Sequence, residues 1–168
     1  MRATTRPRSD EDIPALAAAL VHVHAQDGYP VEGIDDPAAW LLHPRELHSW
    51  TAEVAGTPIG QITLTQAAPD DDAARVWQER TGESLTGLAI PVRLFVDPDH
   101  RRSGASRLLM RTAVDSARAR GLAVAFDVML KDEAAIRLYQ RLGAQHLANL
   151  THQYGDGLEE PAAVYVVP

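Results

Sequence analysis

The chain has 168 residues, 23 Asp or Glu against 16 Lys or Arg, a net charge of −7 and no cysteine. That length suits a single domain with a real core, expected over 1–168. The acidic balance argues against broad nucleic-acid or anionic-membrane binding, and without Cys there is neither a disulfide framework nor thiolate chemistry.

The opening Met1-Arg2-Ala3-Thr4-Thr5-Arg6-Pro7 has basic residues but no apolar run behind them, so no signal peptide or membrane span is expected and the cytoplasm is the expected location. A first strand is predicted near Ala3 to Arg6. Ser9 followed three residues on by Asp12 forms a capping-box-like start, and Ile13, Leu16, Leu20 and Val23 then recur at helical spacing. His24 to Leu42 is interrupted by Gly28, Pro30, Gly33 and Pro37, with room for a short helix ending at Trp40-Leu41-Leu42. The clearest hairpin runs from Ser49 to Val54, turns at Ala55-Gly56-Thr57-Pro58, and returns from Ile59 to Thr65 with period-two alternation.

Ala67 to Gly87 is a polar insert with an acidic run at Asp70-Asp71-Asp72 and a short helix predicted over Ala73 to Arg80. A charge block of this kind reads either as a solvated loop or as a lid that attracts a cationic amine. A strand follows from Leu88 to Val96 and stops at Asp97-Pro98, where proline lacks an amide hydrogen and pushes its predecessor out of the helical region. A helix is then expected from about Ser103 to Arg120. It places Arg107, Arg111, Asp115 and Arg118 on one side and Leu109, Met110, Ala113, Val114 and Ala117 on the other, with Gly121 as its C-cap. Its first turn carries unpartnered amide hydrogens and the positive end of the helix dipole. With Gly104 allowing close approach and Arg101, Arg102 and Arg107 adding charge, this is an anion pocket built from backbone.

Beyond a strand from Ala123 to Met129, Asp132 opens a helix that runs to Leu142-Gly143-Ala144. A strand from Gln145 to Tyr154, a turn at Gly155-Asp156-Gly157 and a final strand from Ala162 to Val167 are expected to add antiparallel neighbours to the same sheet. The seven histidines show no metal-ligand spacing, and no metal site is expected.

Two of these segments carry a resemblance. Arg101-Arg102-Ser103-Gly104-Ala105-Ser106 resembles the Arg/Gln-x-x-Gly-x-Gly/Ala pyrophosphate loop of the GNAT N-acetyltransferases, with Ser106 in place of the usual Gly or Ala. Asp132-Glu133-Ala134-Ala135-Ile136-Arg137-Leu138-Tyr139-Gln140-Arg141-Leu142-Gly143-Ala144 is similar to that family's Asn-x-x-Ala-x-x-Leu-Tyr-x-x-x-Gly-Phe, with Asp132 for Asn and Ala144 for the aromatic. The resemblance spans Trp50 to Gly143 and implies an α/β (α+β) fold of the GNAT type. Such a fold has a mixed, mostly antiparallel twisted sheet, helices on both faces and a splayed central strand pair. It also implies acetyl-coenzyme A as cosubstrate, held by backbone at Leu94, Phe95 and Val96, by Arg101, Arg102, Ser103, Gly104, Ala105, Ser106 and Arg107, and by Asp132, Ala135 and Tyr139.

The reaction so implied is acetyl transfer to a primary amine. With no Cys available as nucleophile, it proceeds directly in a ternary complex. Tyr139 stands at the position of the family's acid for the departing thiolate; the same residue also fits an apolar helix face with Ala135, Leu138 and Leu142. Asp127, 12 residues before Tyr139, resembles the base of the branch that acetylates protein N-termini, and alternatively holds a loop by hydrogen bonds. Glu53 and a water chain are the other candidate bases. A small amine or amino-acid-like metabolite is the expected acceptor, with a protein N-terminus or lysine as the alternative and a non-catalytic acyl-coenzyme A sensor as a further one. A homodimer through Ala162 to Val167 is also expected.

Overall fold

The computed structural model describes residues 2–30, 33–154 and 157–168; Gly155 and Asp156 of the expected last turn lie outside them. Seven strands, β1 (Thr4–Pro7), β2 (Glu46–Val54), β3 (Thr57–Gln66), β4 (Leu88–Val96), β5 (Ala123–Met129), β6 (Gln145–Tyr154) and β7 (Leu158–Val167), are hydrogen-bonded in the order β1-β2-β3-β4-β5-β7-β6. The helices are α1 (Ile13–Asp27), α2 (Pro37–Trp40), α3 (Asp72–Thr81), α4 (Ala105–Ala119) and α5 (Glu133–Arg141). β4 pairs with β5 in parallel, whereas β1 with β2, β2 with β3, β5 with β7 and β6 with β7 are antiparallel, so the sheet is mixed and mostly antiparallel. No helix among the described residues is long and apolar enough to cross a membrane. Two compact units divide the chain, Met1–Thr65 with Pro91–Ala113 and Gln66–Ile90 with Val114–Pro168.

In the first unit the hairpin is tighter than its sequence suggests. Ala55 (φ 50) and Gly56 (φ 80) alone make the turn, both in the left-handed region that a two-residue hairpin needs, and Thr57 and Pro58 already belong to β3. The apolar stripe of α1 buries Leu16, Ala19, Leu20 and Val23 with Leu41 and Phe95, and Tyr29, Ile34 and Trp40 pack on that cluster. The irregular segment after α1 is therefore folded onto the helix. Gly60 has a steric reason: a Cβ there would overlap the Phe95 carbonyl oxygen and lie 3.0 Å from Val96 Cα. Gly60→Ala is expected to cost about 1–3 kcal/mol by overpacking, read as a lower denaturant midpoint at unchanged slope.

In the second unit β5 buries Val124, Ala125, Phe126 and Val128 and pairs from Val124↔Val167 to Met129↔Ala162. The polar insert is not an open solvated loop. It forms α3, whose Ala73, Ala74 and Trp77 are buried, and α3 packs against β5, β6 and β7. β7 is hydrogen-bonded on both sides, to β5 and to β6, so the expected dimer cannot add a strand at Ala162 to Val167; the outer strand of the order is β6.

Candidate functional site

The loop belongs to the first unit. Pro98 ends β4, and the Asp97 carboxylate accepts from the Asp99 amide at 3.0 Å, which turns the chain into a tight 3-10 stretch over Pro98–Ser103. The following helix consequently begins at Ala105, two residues later than its apolar spacing suggested, and Gly104 joins the two at φ 80. Space is open around Gly104 where a Cβ would stand. The amides of Ala105, Ser106 and Arg107 open α4 and have no intrahelical acceptor.

The arginines of the loop do not all share one task. Arg101 forks onto the carboxylate of Asp27 at the end of α1, a pairing that raises its pKa further. Its charge is thus shared with a carboxylate, in a half-exposed pair. Arg102, Ser106 and Arg107 are exposed, and Ala105 is buried. A cavity of about 270 Å³ is lined by Arg2, Ala3, Ser103, Gly104, Arg107 and Arg111. The buried Ser103 Oγ has no partner there among the described residues. Arg2 and Arg111 are not among the expected coenzyme contacts, although Arg111 is placed on the same helix side as Arg107. The spacing of four from Arg107 could have found Arg111, but nothing local points to Arg2.

Upstream in β4, Leu94 is half-buried, while Phe95 and Val96 are buried, with the Phe95 ring 6.1 Å from Trp40. Arg93 sits at φ 55 in mid-strand. Its guanidinium lies 5.0 Å from the Trp40 ring centroid and donates to the carbonyls of Trp40 and Leu42, and its own carbonyl accepts from Gln61 at 3.4 Å. Such a left-handed arginine held from both ends was not visible in the sequence.

The candidate chemistry lies in the second unit. Asp132 caps α5 by accepting from the Ala135 amide at 3.1 Å, as its residue type predicts. Ala135 is half-buried on that helix. Tyr139 packs edge-on against Phe126, ring centroids 4.5 Å apart. Burial first, then the carboxylates of Asp132 and Asp127, push its phenol up to about 12. It therefore keeps its proton throughout the neutral range. Asp127 is exposed between buried Phe126 and Val128, on the opposite face of β5 from Phe126 by strand alternation, yet its field reaches Tyr139. Glu53, the other candidate base, is ion-paired to Arg6 at 3.0 Å in the first unit.

Among the described residues, His22 has a carboxylate partner. His22 Nδ1 lies 3.1 Å from Asp97 Oδ1, and Asp99 brings a third ligand-type atom within 4.8 Å. Since the Asp97 carboxylate also accepts from the Asp99 amide, the group is accounted for as the cap of the turn.

Against this geometry stand the comparisons with known proteins. The model of the acetyltransferase (GNAT) family matches residues 16–144. Human N-acetyltransferase 8 is 29% identical over 124 residues, 64% of this chain, and the chain spans about half, 53%, of that relative's length. Among solved structures, the ribosomal-protein-S18-alanine N-acetyltransferase of Escherichia coli is similar at a TM-score of 0.70 and 22% identity, covering 99% of this chain and 93% of that one. Arabidopsis thaliana NAA60 in complex with acetyl-CoA is similar at 0.71 and 19%, covering 98% and 97%. At these identities the structural likeness speaks for the fold.

Proposed function

Because this chain belongs to the GNAT acetyltransferase family, we propose that it transfers an acetyl group from acetyl-coenzyme A to a primary amine, directly within a ternary complex. The observation that carries the proposal is the loop. It has an open Gly104, helix-opening amides at Ala105 to Arg107, a cavity with Arg107, Arg111 and Arg2 on its wall, and a buried Ser103 hydroxyl without a partner. These groups fit a pyrophosphate, since each offers a donor or positive charge and none is a carboxylate. Arg102 adds charge from the exposed side.

The coenzyme supplies the activated thioester. In this reading the backbone of Leu94 and Val96 aligns its extended arm as a neighbouring strand would. Phe95 contributes main chain only, because its ring is committed to the core. Tyr139 holds a proton for the departing thiolate, because its phenol stays protonated at neutral pH and is therefore no base. Asp127 is the proposed base, directly or through water; the pairing of Glu53 with Arg6 weakens that alternative.

The acceptor in this proposal is a small amine or amino-acid-like metabolite, which the packing of Tyr29, Ile34 and Trp40 onto α1 supports by ordering the segment after that helix. The anchoring of α3 in its own unit favours the second reading, a protein N-terminus or lysine, because it removes the acidic insert as a cover for small ligands. We keep 1–168 as one functional domain, a cytoplasmic location as suited to a chain without Cys, and a homodimer, now expected through β6.

Calorimetry with acetyl-coenzyme A on the parent protein and on Gly104→Asp tests the loop. Asp tolerates the left-handed backbone of Gly104 better than most residues, so the variant is expected to fold and to bind at least about tenfold more weakly through charge repulsion. No binding by the parent, or equal binding by the variant, overturns the assignment. A screen of free amino acids, polyamines and short peptides then separates the two acceptor readings.

A further inference from the structure

The second unit contains a cavity that the proposed reaction does not use. It measures about 580 Å³ and opens where β5 begins, with Trp77, Leu122, Leu147 and Val166 as apolar wall and Arg118 and Glu83 as its charged groups. Its size falls in the range of small-molecule sites. The wall is firm: Trp77 is 3% exposed on the anchored helix α3, and Val166 is 6% exposed in the interior strand β7. Arg118, in the last turn of α4, reaches over the turn between α5 and β6, its Nη2 3.5 Å from where a Cβ on Gly143 would stand. Among the described residues neither the Arg118 guanidinium nor the Glu83 carboxylate has a hydrogen-bond or ion-pair partner.

A cation and an anion that leave each other unpaired beside an apolar wall are complementary to a ligand that carries both charges and an apolar body. We propose that this cavity is a binding site for a free α-amino acid with a branched or aromatic side chain. Its carboxylate forks onto Arg118, its ammonium meets Glu83, and its side chain lies against Trp77, Leu122 and Leu147. The site is apart from Tyr139: Ala123, which also lines the cavity, precedes Phe126 by three residues, about 10 Å along the strand.

Calorimetry with L-leucine and L-phenylalanine tests the proposal on the full chain, alongside 4-methylpentanoate and 3-methylbutylamine, which keep one charge each. Saturable binding is expected, weakened at least about tenfold in Arg118→Gln and in Glu83→Gln, and likewise for both single-charge analogues. Arg118 and Glu83 are exposed and unpartnered, so neither substitution threatens the fold. Gly104→Asp, which tests the coenzyme loop, is expected to leave amino-acid binding unchanged, so failure of one site is distinguishable from failure of the other. Absence of saturation up to roughly 10 mM, unaltered binding in both charge variants, or equal binding of a single-charge analogue overturns it.

Discussion

Tyr139→Phe is expected to lower kcat by roughly 100-fold or more while leaving acetyl-coenzyme A affinity within about twofold, the loss that removal of a general acid brings. The substitution is a clean one. The ring against Phe126 survives, so the edge-on contact at 4.5 Å and the packing of α5 are preserved and only the hydroxyl is lost. A phenol pushed up to about 12 by burial and by the carboxylates of Asp132 and Asp127 is a reservoir of one proton at neutral pH. A residue that served packing alone would tolerate Phe with kcat unchanged, and that result would return Tyr139 to the core. Steady-state rates with the acceptor found by the amine screen, together with coenzyme titrations, distinguish the outcomes.

Asp12→Ala is expected to destabilise the protein by about 2–4 kcal/mol, because it removes a buried acceptor shared by several donors, the fully buried Thr51 hydroxyl among them, while the half-exposed Arg6 keeps Glu53 as a partner. Asp12, its side chain 5% exposed, accepts from Arg6 at 2.7 and 2.8 Å, from the Ser9 amide at 2.9 Å and from the Thr51 hydroxyl at 3.0 Å. Arg6 leads in holding its carboxyl at about 2, below the ordinary 3.8, with Ser9 and Thr51 assisting against burial. The stabilisation is fully present above pH 3.8 and is lost as pH falls towards 2, since the unfolded chain binds the proton more readily there. This linkage contributes about 2 kcal/mol. Asp12→Asn keeps acceptors for Ser9 and Thr51, so it is expected to fall between parent and Ala and to flatten the acid limb of the stability curve. Denaturant melts from pH 2 to 7 check both; an Asn variant with an unchanged acid limb would exclude Asp12 as its source.

The residues whose behaviour depends on near neighbours were readable from the chain. Asp132 caps the helix it precedes, Pro98 stops β4, and Gly104 takes φ 80 where the loop meets α4. The amphipathic face of α4 buries Leu109, Met110, Ala113, Val114 and Ala117 as their spacing requires. Capping, proline sterics and helical periodicity act over a few residues, so sequence order alone specifies them. Boundaries slipped where two local structures compete, as with the 3-10 stretch over Pro98–Ser103 and the two-residue turn at Ala55-Gly56, and where strand pairing extends past the apolar run, as at the starts of β2 and β7.

What tertiary structure decided was partnership. The fold brings Asp27 beside Arg101 from 74 residues away, and β1 brings Arg6 beside Glu53, partners that no local pattern announces. The acidic insert became an anchored helix because Trp77 found a wall of strands to bury against, and β7 came to lie inside the sheet with both edges consumed. Charge and apolar surface are satisfied by whatever the fold places nearby, at a separation that no local pattern encodes. The sequence by itself therefore determined which groups this protein has for holding an anion and a proton, and the packing of distant segments decided which of those groups remain available.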